Sequence, residues 1–94
     1  MRYKIVAIRD RAIDTYGVPV FVATTGAAIR SFSDEVNRKD DNNNLSKHPE
    51  DFDLFLLGEY DDQTGEFDGC RPSQIAVGGT VVLYSTSVLH NKVV

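Results

Sequence analysis

From Arg2 to Ile8 the chain is rich in β-branched and aromatic residues, and a charged turn, Arg9 to Asp14, follows. This predicts a strand, with Tyr3, Ile5 and Ala7 on one face and Lys4, Val6 and Ile8 on the other. Its second half is apolar on both faces, as an interior strand requires. Val18 to Thr25 predicts a second strand, with Pro19 confining it to a strand start or an edge. The segment between them, ending at Gly17, reads as a loop or long hairpin connection.

The period then changes. Ala28, Ile29, Phe32 and Val36 form one apolar stripe at i, i+1, i+4 and i+8, so a helix is expected over about residues 25–39. Thr24 or Thr25 is its N-cap. Asp34 and Arg38 are spaced as an i, i+4 pair, worth roughly 0.2–0.5 kcal/mol. Asp40 to Asp51 reads as a polar loop, in which Pro49 could open a short helical turn. Phe52 to Tyr60 is the most apolar run. Phe52, Leu54 and Leu56 are expected on one face and Phe55 and Leu57 on the other, as in a strand covered on both sides. Glu66 to Cys70 is its partner, Arg71 to Gly79 a connection, Thr80 to Ser85 a last strand, and 86–94 a tail.

These elements give one α+β domain over 1–94: a mainly antiparallel sheet of four or five strands with one principal helix. One helix covers one face of the sheet. The other face calls for a homodimer or for a sheet curled into a barrel.

The carboxylates Glu59, Asp61, Asp62 and Glu66 crowd one short segment, with Thr64-Gly65 among them. Catalytic carboxylates need a pocket and partners from separate elements, and no His or Cys is near in sequence. A hairpin turn, with Gly65 where a positive φ is needed, accounts for the segment. Asp40, Asn42, Asn44 and Asp51 fall at calcium-loop spacing, but Leu45 stands where that loop needs Gly, and Asp51 where it needs Glu. His48, His90 and Cys70 have no metal-ligand spacing. Val77 to Thr80 lacks the Lys and following helix of a phosphate loop. The sequence therefore predicts no enzyme, no catalytic residue, no metal and no cofactor.

Net charge is −4 and hydrophobic residues make up 41%, an ordinary globular balance that weakly opposes polyanion binding. A single cysteine makes no internal disulfide. The N-terminus has no signal-peptide pattern and no apolar run approaches the ~20 residues of a membrane span, so an intracellular protein without a membrane partner is expected. Arg2, Lys4, Arg9 and Arg11 cluster beside Tyr3 and Tyr16. Cations flanking exposed rings are how single strands are held. The competing assignment is a solvated, charged strand edge with Tyr3 in the core, and sequence physics alone favours it.

Three stretches in order, "AAIRSFSDEVN", "HPEDFDLFLLGEYDDQTGEF" and the segment after Pro72, resemble the small non-structural protein of gokushoviruses, tailless single-stranded DNA phages of the microvirus family. The resemblance spans roughly Ile5 to Ala76. It implies a phage protein that binds single-stranded DNA during genome replication or packaging, in the cytoplasm of the bacterial host. Arg2, Tyr3, Lys4, Arg9, Arg11, Tyr16 and Arg30 are then the candidate nucleic-acid contacts. The alternative is a non-enzymatic adaptor acting on capsid or host replication proteins, supported by the acidic surface and the apolar residues Val88 to Val94.

Overall fold

In the computed structural model, residues 1–81 are described. Strand β1 (Arg2–Asp10) runs through the middle of an antiparallel sheet. On one side it pairs with two short strands, β2 (Thr15–Tyr16) and β3 (Val20–Val22). These act as one interrupted strand: the register shifts by one residue between them, and Gly17 N–H still donates to the Ile8 carbonyl at 2.7 Å. Pro19, which has no N–H to give, lies in the break just before β3. The strand expected over Val18 to Thr25 is thus shortened to Val20–Val22, because Thr24 already caps the helix.

Helix α1 (Thr25–Val36) begins where the Thr24 hydroxyl accepts from Ala27 N–H at 3.1 Å. Ala28, Phe32 and Val36 are buried against Val6 and Leu54, so the predicted stripe is the core contact. The helix stops at Val36 and not at residue 39. The Asn37 side chain donates to the Ser33 and Val81 carbonyls and ties the helix end to the chain beyond β5 (Glu66–Val77). Arg38 therefore lies outside the helix. It pairs with Glu35 and Asp40, and not with Asp34 as its spacing suggested.

The polar segment after α1 is more ordered than a loop. Asn43 is buried, caps the short helix α2 (Asn44–Lys47) through Leu45 N–H, and donates to the Glu35 and Arg38 carbonyls. Pro49 opens a helical turn, Pro49–Asp51, as the sequence predicts.

Strand β4 (Phe52–Asp61) lies between β1 and β5. The turn from Asp61 to Gly65 joins β4 and β5; Gly65 has φ +75° and its N–H donates to the Asp61 carbonyl at 2.8 Å. β5 continues through Arg71 to Val77, a stretch the sequence assigned to a connection. Its register against β4 breaks at Ile75 and again between Gly69 and Ser73, around Pro72, and Ile75 and Ala76 pack against the core. Only Gly78–Thr80 forms the expected turn, as a single 3₁₀ turn. The last predicted strand begins at Thr80, which lies in that turn; from Val82 onward that strand and the tail fall outside the described residues.

One irregularity fixes the pattern of the sheet. Against β1, Ile5 faces Gly58 but Val6 faces Leu56, so Leu57 is an extra residue in β4. A single inserted residue reverses the alternation. Before it, Phe52, Leu54 and Leu56 face the helix. After it, Glu59 and Asp61 are on the helix side with Lys4 and Arg2, and Tyr60 joins Phe55 on the opposite face. Gly58 has φ +155°, and a Cβ there would meet the Asp68 carbonyl at 2.4 Å. Gly58→Ala is therefore expected to cost more than ~2 kcal/mol. Gly69→Ala, where a Cβ meets nothing within 4 Å, leaves the urea midpoint near wild type. Circular dichroism during urea unfolding measures both; equal midpoints would show that the bulge does not depend on Gly58.

Candidate nucleic-acid interface

The face of the sheet turned away from α1 carries Tyr3, Ile5, Ala7 and Arg9 from β1, with their register partners. Tyr60 is opposite Tyr3, Phe21 opposite Ile5, Phe55 opposite Ala7, Tyr16 opposite Arg9, and Phe67 opposite Tyr60. Six rings thus share one face, in two groups. At the hairpin end, Phe21 meets Tyr60 edge-on at 5.6 Å and Phe67 at 6.2 Å, while Tyr60 and Phe67 are 4.8 Å apart. At the other end, Tyr16 meets Phe55 edge-on at 5.4 Å and the Arg9 guanidinium lies 5.7 Å from the Tyr16 ring centre. Phe67 is 63% exposed and Phe21 50%, a large solvated apolar area for such rings. Phe32 and Phe52, by contrast, pack on the helix side.

The candidate cations are mostly not on this face. Strand alternation separates Arg2 and Lys4 from Tyr3 between them. Arg2 bonds Glu59 and Asp68 and approaches Asp61; Lys4 bonds Glu59. Lys4 first and Arg2 second hold the Glu59 carboxyl below its usual value of 4.5. The acidic hairpin segment is therefore a set of partners for the first strand. Arg9 is on the aromatic face but pairs with Asp14. Arg11 is structural: its guanidinium holds the buried Asp53 carboxylate at 3.0 Å and the Glu50 carbonyl, and its N–H donates to the Asp51 carbonyl. Arg30 is exposed on α1 and forms no ion pair among the described residues; Arg71 and Lys39 are alike in this.

Of the seven candidate contacts, the structure thus brings together Tyr3, Arg9 and Tyr16 and separates Arg2, Lys4, Arg11 and Arg30 from them. Phe21, Phe55, Tyr60 and Phe67 complete the face and were not singled out in the sequence. A signal existed: Glu59-Tyr60-Asp61 and Glu66-Phe67-Asp68 repeat acid–aromatic–acid in the two arms of the hairpin. Pairing those arms puts both rings on one face and the acids on the other.

A sequence model of the Phage ORF5 protein family matches residues 3–81. The chain belongs to that family. It is 38% identical over 63 residues to Protein ORF5 of Chlamydia phage 1, covering 65% of this chain and 66% of that protein, slightly less than two thirds of its length. The gokushovirus resemblance in the sequence is thereby shown to be right: this is a phage protein of the microvirus type. No solved structure matches the ORF5 chain.

Two measurements check the assignment of the cations. Arg11→Ala leaves the buried Asp53 carboxylate without its ion-pair partner and is expected to cost roughly 1–3 kcal/mol, whereas Arg30→Ala stays within about 0.5 kcal/mol of wild type. Equal losses in urea unfolding would contradict the structural role of Arg11. Because the folded Glu59 carboxyl is depressed, its contribution to stability is complete above about pH 4.5 and is lost as pH falls through the depressed value. The unfolding midpoint of Glu59→Gln should therefore lie below wild type at pH 7 and approach it as pH falls below 4.5; a gap that is independent of pH would exclude the Lys4–Glu59–Arg2 network.

Proposed function

We propose that this ORF5 protein binds single-stranded DNA through the aromatic face of its sheet, during replication or packaging of the phage genome. The observation that carries the reading is the set of six rings on a face that no helix covers among the described residues. Every base has a π-face, and stacking on a protein ring contributes roughly 1–3 kcal/mol per base without demanding a sequence. A paired duplex hides those faces. Membership in a family from single-stranded DNA phages supplies a strand of the right kind.

The phosphate contribution in this reading is small. Arg9 beside Tyr16 is the cation best placed for it. Arg2 and Lys4 are neutralised by carboxylates on the other face.

The test is fluorescence anisotropy of a labelled ~30-nucleotide strand at low and near-physiological salt, with a duplex control. Saturable binding that prefers the single strand is expected. Arg9→Ala lowers the log–log salt slope by about one unit, while Arg2→Ala with Lys4→Ala leaves it unchanged. Absence of binding at low salt, or equal affinity for duplex, sinks the reading.

The second reading, an adaptor for capsid or host replication proteins, has a different surface in its favour. Val18 is 87% exposed and Val20 54%, beside an apolar crevice of ≈ 330 Å³ under α1 that Val6, Val22, Ala28 and Phe32 also line. Retention of a phage or host protein by the Val18→Ser variant as strongly as by wild type would remove that surface from consideration.

A further inference from the structure

The rings at the hairpin end do more than tile a surface. Tyr3, Phe21, Tyr60 and Phe67 form the walls of a cup of ≈ 450 Å³, and Gly65 at its rim has no side chain to close it. Neither the Tyr3 nor the Tyr60 hydroxyl bonds to any group among the described residues. Arg2 and Lys4, the chain neighbours of Tyr3, lie on the opposite face and are bound by Glu59, Asp61 and Asp68. Asp62, at the same turn, takes the N-terminal ammonium, and Glu66, opposite Asp61, lies on the face away from the rings.

This combination selects an occupant by its chemistry. Flat apolar walls take a planar ring. Two uncommitted phenols offer donors and acceptors to that ring's polar edge. No charged side chain lines the cup among the described residues, and the nearby cations are held by carboxylates on the other face, so a phosphate finds no partner here. A strand entering here must lead with a base and keep its backbone outside. We propose that one unpaired nucleobase stacks in this shallow cup, so that this end of the face recognises bases and not phosphates. The inference rests on the single-strand reading above and specifies how one part of the face serves it.

Two strands of equal length separate the possibilities: a ~12-nucleotide oligothymidylate and a strand of abasic residues carrying the same phosphates. Anisotropy at one fixed salt concentration gives both affinities. The abasic strand is expected to bind at least about tenfold more weakly. Phe67→Leu, which keeps apolar bulk and removes the ring, weakens the thymidylate strand several-fold and leaves the abasic strand unchanged. Tyr60→Phe, which removes one hydroxyl and keeps the ring, gives a smaller loss. Tyrosine fluorescence of the wild-type protein is quenched by the thymidylate strand, as stacking requires. Phe67 is more than half exposed, so the variant is expected to fold; circular dichroism checks it. If the abasic strand binds more weakly but Phe67→Leu leaves the thymidylate affinity unchanged, the cup is not a base site, although the other rings still hold the strand; if the abasic strand binds equally, this inference and the stacking reading beneath it both fail. If neither strand binds, both this inference and the reading beneath it fail. If light scattering shows a dimer that Phe67→Leu dissociates while DNA affinity is unaltered, a second copy fills the cup and the inference is overturned.

Discussion

The Gly58 backbone lies so close to the Asp68 carbonyl that no side chain fits between them. That approach accommodates the extra residue, Leu57, and reverses the alternation of β4 halfway along its length. Both surfaces of the hairpin follow. With the original phase, Tyr60 would lie on the helix side, and Glu59 and Asp61 would join the opposite face. The observed phase gathers the rings on one side and gives Arg2 and Lys4 their carboxylates on the other. One backbone contact thus sorts charge from aromatic area.

The sorting has an energetic logic. Exposed ion pairs contribute little individually, typically about 0–1 kcal/mol. Here Arg2 bridges strands β4 and β5 through Glu59 and Asp68 from its place on β1, so three strands share one charge set. The network specifies register more than it adds stability: a one-residue slip would place cations against rings and leave acids unpaired. The aromatic cluster reinforces the same register through Tyr3 opposite Tyr60 and Tyr60 opposite Phe67. Both faces therefore favour the same alignment of β1, β4 and β5.

This explains what was readable in the chain. The interior strands Arg2 to Ile8 and Phe52 to Tyr60, the helix stripe Ala28–Phe32–Val36 and the Gly65 turn follow from local periodicity and turn chemistry, and all are present. The helix end was misread because Arg38 and Lys39 suit a helix terminus by charge, whereas Asn37 closes it through a long-range bond to Val81. Arg71 to Val77 was misread as a connection because Pro72 and a bulge disguise a strand whose anchors, Ile75 and Ala76, are cued only by the core they enter. The candidate site suffered from a different gap. Proximity in sequence joined Arg2, Tyr3 and Lys4, although alternation in a strand separates neighbours by construction. The rings that line the cup with Tyr3 come from β3, β4 and β5, and the bulge that aligns them is not a propensity signal.

Charge carries the last step of the argument. A net charge of −4 argues against a protein that grips DNA by its phosphates, and the structure sharpens that objection: four of the cations that sequence proximity nominated are occupied by carboxylates, Arg2, Lys4, Arg9 and Arg11. The objection applies to phosphate recognition only. Stacking depends on exposed ring area, and its strength does not require a basic surface. In a face where acids point away from the rings, the acidic balance discourages duplex, whose bases are hidden and whose phosphates are dense, more than it discourages an unpaired strand that can turn its bases inward. The same charge that weakens binding overall thus favours the single strand over the duplex, provided that the rings make the contact.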